Sequence, residues 1–143
     1  MKLNSESGKR TQARAFAFRL DPLSGVPVYR QLIDQVQAAS ASGALLAGTQ
    51  LPTVRQVAVD LAINPNTVMR AYREMEIRGL VDTQQGTGTF LADRKVEYSK
   101  GERTRQLAQL AGEFVSRAGA AGFTVEELIE QLRGMAHEPA RGR

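Results

Sequence analysis

Four residues gathered at the start of one short helical stretch hold the most informative chemistry: Asn64, Asn66, Thr67 and Arg70. An asparagine amide can bond bidentately to an adenine edge and a guanidinium to a guanine edge. A threonine can meet a thymine methyl or a phosphate oxygen. The free N–H groups at a helix start also suit a phosphate oxygen. Each residue has a plainer use as well: Asn64 as a helix cap, Arg70 as a solvated surface charge. Upstream, Thr53-Val54-Arg55-Gln56 has the form of a capping box and puts a cation in the first turn of another short helix. Downstream, Gln85-Gly86-Thr87-Gly88 spaces two glycines two apart. Glycines let backbone come close to another molecule, and Gln85 could then reach into a minor groove. Any hairpin can use such glycines, and no helix start follows them, so this is not a nucleotide-phosphate loop.

Other chemistries find little support. The chain has no cysteine, hence no disulfide, thiol nucleophile or cysteine zinc site. Its single histidine, His137, lies near the C-terminus, which argues against a catalytic triad or a multi-histidine metal site. Glu126 and Glu127 read as first-turn charges favoured by the helix dipole. No catalytic residue, metal site or cofactor is therefore expected. Nineteen Lys and Arg against fifteen Asp and Glu give a net charge of +4, a mildly basic balance that leans toward nucleic acid. No apolar run approaches the ~20 residues that cross a bilayer. Met1 to Arg14 is polar and basic, unlike the apolar core of a signal peptide. A cytoplasmic protein without a membrane partner is expected.

The elements that must position these residues follow from periodicity and punctuation. With 143 residues, 42% hydrophobic and 24% charged, the chain suits one small domain with an appendage. Residues 1–15 read as a flexible basic arm, with Lys2, Lys9, Arg10 and Arg14 against Glu6 alone; such an arm could also touch phosphates. Phe16, Phe18 and Leu20 alternate as in an extended lead-in, and Asp21 to Gly25 is turn-like. A first helix is expected from about Val26 to Ser42, buried through Tyr29, Leu32, Ile33 and Val36, with Gly43 as its stop. Ala44 to Pro52 reads as a connector. A second helix follows Thr53 with Val54, Val57, Ala58 and Leu61 on one face. After the tight Ala62-Ile63 turn, a third helix opens at Asn64-Pro65 and buries Val68, Ala71, Tyr72 and Met75. Leu80-Val81 and Thr89-Phe90-Leu91 are expected to pair, with Asp82 to Gly88 as the glycine-rich tip between them. Two short helices joined by a tight turn, then a hairpin, describe a helix-turn-helix with a wing, whose second helix enters the major groove.

At this point the residues resemble a family. Val26 to Leu91 resembles the DNA-binding domain of GntR-type bacterial transcription regulators. The matching stretches are Pro27-Val28-Tyr29-Arg30-Gln31-Leu32, Gly43-Ala44-Leu45, Leu51 to Ala58, Asn64 to Tyr72, Gly79-Leu80-Val81 and Gln85 to Phe90. The resemblance implies a winged helix-turn-helix that binds double-stranded operator DNA as a homodimer. It implies that Arg55 contacts DNA, with Thr53 beside it. Asn64, Asn66 and Thr67 match the polar start of the recognition helix, and Gln85 and Gly86 match the wing tip that enters the minor groove. Many relatives have an arginine where Pro65 stands, so Arg70 is expected to take over some of its work. The Asn-Pro-Asn-Thr sequence is similar to the YtrA-like branch, whose members carry a short helical dimerisation tail and often regulate transporter operons.

The C-terminal part fits such a tail. Leu107, Leu110, Ala111, Phe114, Val115 and Ala118 line one face of a helix from about Lys100 to Arg117. After Gly119 to Gly122, a second capping box at Thr124 to Glu127 opens a helix with Val125, Leu128, Ile129 and Leu132. Two amphipathic helices cannot bury both apolar faces alone, so a second copy is the economical partner, although folding back onto the winged part would also cover them. The expected fold is mainly α with a small β-hairpin: an N-terminal winged helix-turn-helix over 16–92, a linker over 93–98, a two-helix C-terminal dimerisation region over 99–136 and a flexible tail over 137–143. The expected function is a sequence-specific DNA-binding transcription regulator, a repressor, that binds a pseudo-palindromic operator as a homodimer. The rivals are a winged-helix protein-interaction module and a non-specific DNA-binding protein. Any small-molecule effector is unknown; a small pocket between tail and winged domain would be its place.

Overall fold

The order of elements is α1 (Val28–Ser42), α2 (Val54–Leu61), α3 (Pro65–Ile77), β1 (Val81–Gln84), β2 (Gly88–Leu91), α4 (Lys100–Ala120) and α5 (Val125–Met135). The structure is a computed structural model and describes residues 16–93 and 97–136. The basic arm, the middle of the linker and the C-terminal tail with His137 lie outside the described residues. Mainly helical architecture with one small sheet is what the periodicity predicts.

The core forms where three apolar stripes meet. Leu32, Ile33 and Val36 of α1, Val57 and Ala58 of α2, and Val68, Ala71, Tyr72 and Met75 of α3 are buried together. Burying each large aliphatic side chain contributes about 1.5–3 kcal/mol. Phe18 of the lead-in joins this core, while Phe16 and Leu20 pack at its edge, as the alternation predicts. Among the described residues the lead-in pairs with no strand. Two glutamine side chains of α1 bind its backbone instead. Gln35 Oε1 accepts from the Arg19 N–H at 2.8 Å, and Gln31 Oε1 accepts from the Asp21 N–H at 2.9 Å.

Three boundaries differ from the sequence expectation. Helix α1 begins at Val28 rather than about Val26, because Pro27 is extended (ψ 143°) and serves as its N-cap. Helix α4 continues past Arg117 to Ala120, since an isolated glycine is tolerated in a helix, and Gly122 at φ +86° makes the break. Strand β1 reaches Gln84, so the wing tip is Gln85-Gly86-Thr87 rather than Asp82 to Gly88. The register pairs Val81 with Leu91 and Gln84 with Gly88. The polar residues Asp82, Thr83 and Gln84 hide this strand from a hydrophobicity pattern because all three are exposed.

The connector before α2 also has a structural task. Leu51 N–H donates to the Thr89 carbonyl at 2.8 Å, and Leu91 N–H donates to the Thr49 carbonyl at 2.9 Å. Thr49 to Leu51 thus flanks β2 opposite β1 and ties the wing to the start of α2. No residue of α4 or α5 belongs to the core cluster; these helices pack against each other. Among the described residues, no helix is long and apolar enough to cross a membrane.

Candidate nucleic-acid interface

The two helices of the helix-turn-helix start at strong local signals. Thr53 Oγ1 accepts from the Gln56 N–H at 3.1 Å, which is half of the expected capping box; the reciprocal contact from Gln56 is not made. Asn64 Oδ1 accepts from the Asn66 N–H at 2.8 Å, and Pro65 occupies the first helical position. Between them Ala62 adopts a left-handed conformation at φ +53°, rare outside glycine, which reverses the chain in very few residues. The Tyr72 hydroxyl donates to the Pro52 carbonyl, so α3 is latched to the residue that precedes the α2 cap. Burial pushes the Tyr72 phenol well above the ordinary tyrosine range. Thr53 and Asn64, both expected in the DNA site, therefore spend a side-chain oxygen on the helix that follows.

Core packing turns the rest of α3 outward. With Val68, Ala71, Tyr72 and Met75 inward, Asn66, Met69, Arg70 and Arg73 line one shallow depression on the outer face. Thr67 is half-buried. Met69 and Arg73 were not among the expected site residues; their signal was the outward i, i+3, i+4, i+7 spacing from Asn66. Arg70 is exposed, yet its guanidinium carbon sits 3.9 Å from the ring centroid of Tyr29 in α1.

The remaining candidates stand on other elements. Arg55 is exposed in the first turn of α2, and Gln85 and Gly86 are exposed at the wing tip, where Gly86 has φ +75°. No hydrogen bond among the described residues links them to α3. The wing is braced from below: Gln50 Nε2 donates to the Thr87 carbonyl at 3.1 Å. Among the described residues one ion pair is formed, Arg78 with Glu74 at 3.1 Å. Arg55, Arg70 and Arg73 thus keep their charge available for anions. No group of three metal-binding side chains occurs among the described residues. An open groove of about 810 Å³ is lined by Phe16, Leu46, Gln50, Pro52 and Gln56 among others. It belongs wholly to the winged part, not to the junction with the tail that the sequence pointed to.

The tail presents the second candidate surface. Leu107, Leu110, Ala111, Phe114 and Val115 of α4 are exposed, as are Ile129 and Leu132 of α5, and Leu128 is half-buried. Leu107 and Leu110 keep more than 60% of their surface in solvent, while Ala118 is the buried residue of the pair. The capping box at Thr124 is complete, with Glu127 Oε2 accepting from the Thr124 N–H at 2.7 Å.

A capped helix-turn-helix with a braced hairpin after it defines a winged-helix protein. Residues 28–91 match the family described as bacterial regulatory proteins, gntR family. The chain is 39% identical over 112 residues to the uncharacterized HTH-type transcriptional regulator YhcF of Bacillus subtilis, covering 77% of this chain and 90% of that protein. It is 32% identical over 126 residues to the HTH-type transcriptional repressor YtrA of the same organism, covering 87% and 96%. Among solved structures, a GntR family transcriptional regulator from Listeria monocytogenes superposes with a TM-score of 0.54 at 29% identity, covering 80% of this chain and 98% of that one. The chain belongs to the gntR family of bacterial regulatory proteins. It is a DNA-binding transcription regulator and not an enzyme. Both matches are longer than the winged part and cover nearly all of each relative, so these relatives are of similar length.

Proposed function

We propose that the chain is a repressor that binds a pseudo-palindromic operator as a homodimer, with one recognition helix per half-site. The observation that carries this reading is the outward face of α3, where Asn66, Arg70 and Arg73 stand exposed beside one another and, among the described residues, no ion pair claims either arginine. In this reading Asn66 and Arg70 read base edges, Thr67 and Arg55 hold phosphates, and Gln85-Gly86 enters the minor groove beside them. Thr53 and Asn64 contribute through the helix starts they cap, whose free N–H groups suit a phosphate.

The homodimer rests on the tail. Leu107, Leu110, Phe114 and Val115 form a broad exposed apolar stripe that a two-helix unit cannot bury alone. A second copy offers the same stripe in a self-complementary pairing. The division into a DNA-binding part over 16–92 and a dimerising part over 99–136 follows from this assignment. The regulatory sign is supported by the name of the YtrA relative, and control of a transporter operon by the branch resemblance; work on chromosomal DNA fits the cytoplasm.

Selection from a random duplex pool at near-physiological salt tests the reading. Enrichment of an inverted repeat is expected. Binding without enrichment would identify a non-specific DNA-binding protein, and no binding would favour a protein-interaction module.

A further inference from the structure

We propose that Tyr29, outside the helix-turn-helix, is a positioning residue of the DNA site: its ring holds the Arg70 guanidinium in one direction, ready for DNA. The inference rests on the reading of α3 as the DNA-facing helix. The guanidinium carbon lies 3.9 Å from the ring centroid, well inside the range of a cation–π contact. Tyr29 is half-buried and packs against the core at the first turn of α1, so its ring is fixed by the same α1–α3 packing that orients the recognition helix. Arg70 is exposed and has no ion pair or side-chain hydrogen bond among the described residues. The ring is therefore its one anchoring contact there.

Stacking suits an arginine that must still bind something. A guanidinium is flat, and its five N–H donors radiate from the edge. A ring against one face restricts the long side chain without occupying any donor. The fork stays free for a guanine edge or a phosphate, and less side-chain freedom is lost on docking. The Tyr29 hydroxyl takes no part in this, and no side-chain hydrogen bond of that hydroxyl is found among the described residues.

Three variants, Tyr29→Leu, Tyr29→Phe and Arg70→Ala, separate positioning from packing. Binding is read by fluorescence anisotropy on the duplex enriched from the random pool. Tyr29→Leu keeps apolar bulk but loses the ring face, and weakens binding about two- to fivefold, the scale of an exposed cation–π contact. Tyr29→Phe binds as wild type. In the Arg70→Ala background, Tyr29→Leu has no further effect. In the free protein, the Arg70 Nε proton resonates upfield from the ring current in wild type and Tyr29→Phe, and returns to the position of a free arginine in Tyr29→Leu. Losses from Tyr29→Leu and Arg70→Ala that simply add would overturn the proposal, as would an equal loss in Tyr29→Phe or an unshifted Nε proton. If wild type binds no duplex at all, the DNA reading fails and the positioning role fails with it; the Nε proton then reports on the stack alone.

Discussion

Gly88 is the residue at which the wing is easiest to damage by one atom. Its φ of +138° is a conformation that side chains of L residues rarely adopt. A Cβ there would also collide with the Gln50 Nε2 atom, which donates to the Thr87 carbonyl across the hairpin. Two separate costs follow for Gly88→Ala. Backbone strain accounts for about 2 kcal/mol. The collision itself is cheap to relieve, because the end of the glutamine side chain can swing away. The cost is then the hydrogen bond it leaves behind, which at this exposed place is worth about 0.5–1 kcal/mol. Gly88→Ala should therefore destabilise the protein by about 3 kcal/mol, combining the two terms. Gln50→Ala alone should cost about 0.5–1 kcal/mol. The double variant should be no less stable than Gly88→Ala, since the hydrogen bond is lost once in either case. Thermal unfolding followed by circular dichroism measures this, at roughly 4 °C per kcal/mol for a domain of this size. A double variant whose loss equals the sum of the two single losses would refute the claim that Gln50 occupies the space beside Gly88.

Three further outcomes are expected. Asn66→Ala should relax preference at one base pair by about 1–3 kcal/mol in a binding titration across operator variants, whereas Arg55→Ala should weaken binding on all sequences and lower the salt slope by about one. Leu110→Glu with Phe114→Glu should leave a folded monomer in sedimentation equilibrium that binds the full operator at least tenfold more weakly at the same concentration, an order-of-magnitude figure for losing the second half-site. Tyr72→Phe should cost about 1 kcal/mol through the orphaned Pro52 carbonyl. The raised Tyr72 pKa also fixes a sign: above about pH 10 the unfolded phenol ionises while the folded one stays protonated, so stability falls as pH rises, and the fall should be shallower in Tyr72→Phe.

The helix-turn-helix could be read closely because its limits are set by single residues acting locally. Thr53 caps α2, and Asn64 and Pro65 open α3. The inward stripe of α3 follows from spacing, and with it the outward placement of Asn66 and Arg70. Other features depend on contacts between distant segments. Gln31 and Gln35 bind the lead-in backbone through side-chain amides, and no periodicity encodes that. Thr49 to Leu51 is too short to show alternation, yet it completes the wing. Tyr29 reads as one more core residue of α1; only the packing of α1 on α3 brings its ring under Arg70. Thr53 and Asn64 suit capping by residue type and position, and the structure shows the capping bond at each. The spacing of α3 turns Arg73 outward with Asn66, Thr67 and Arg70, whereas Met69 has no polar group to signal a site; the fold sets both beside Asn66.

The central claim, two recognition helices on one operator, is tested most directly by native mass spectrometry of the full chain with the duplex enriched from the random pool. Two chains per duplex are predicted on the complete inverted repeat, with a steep loss of binding when one half-site is scrambled. One chain per duplex, or equal affinity for the half-scrambled site, would contradict the account.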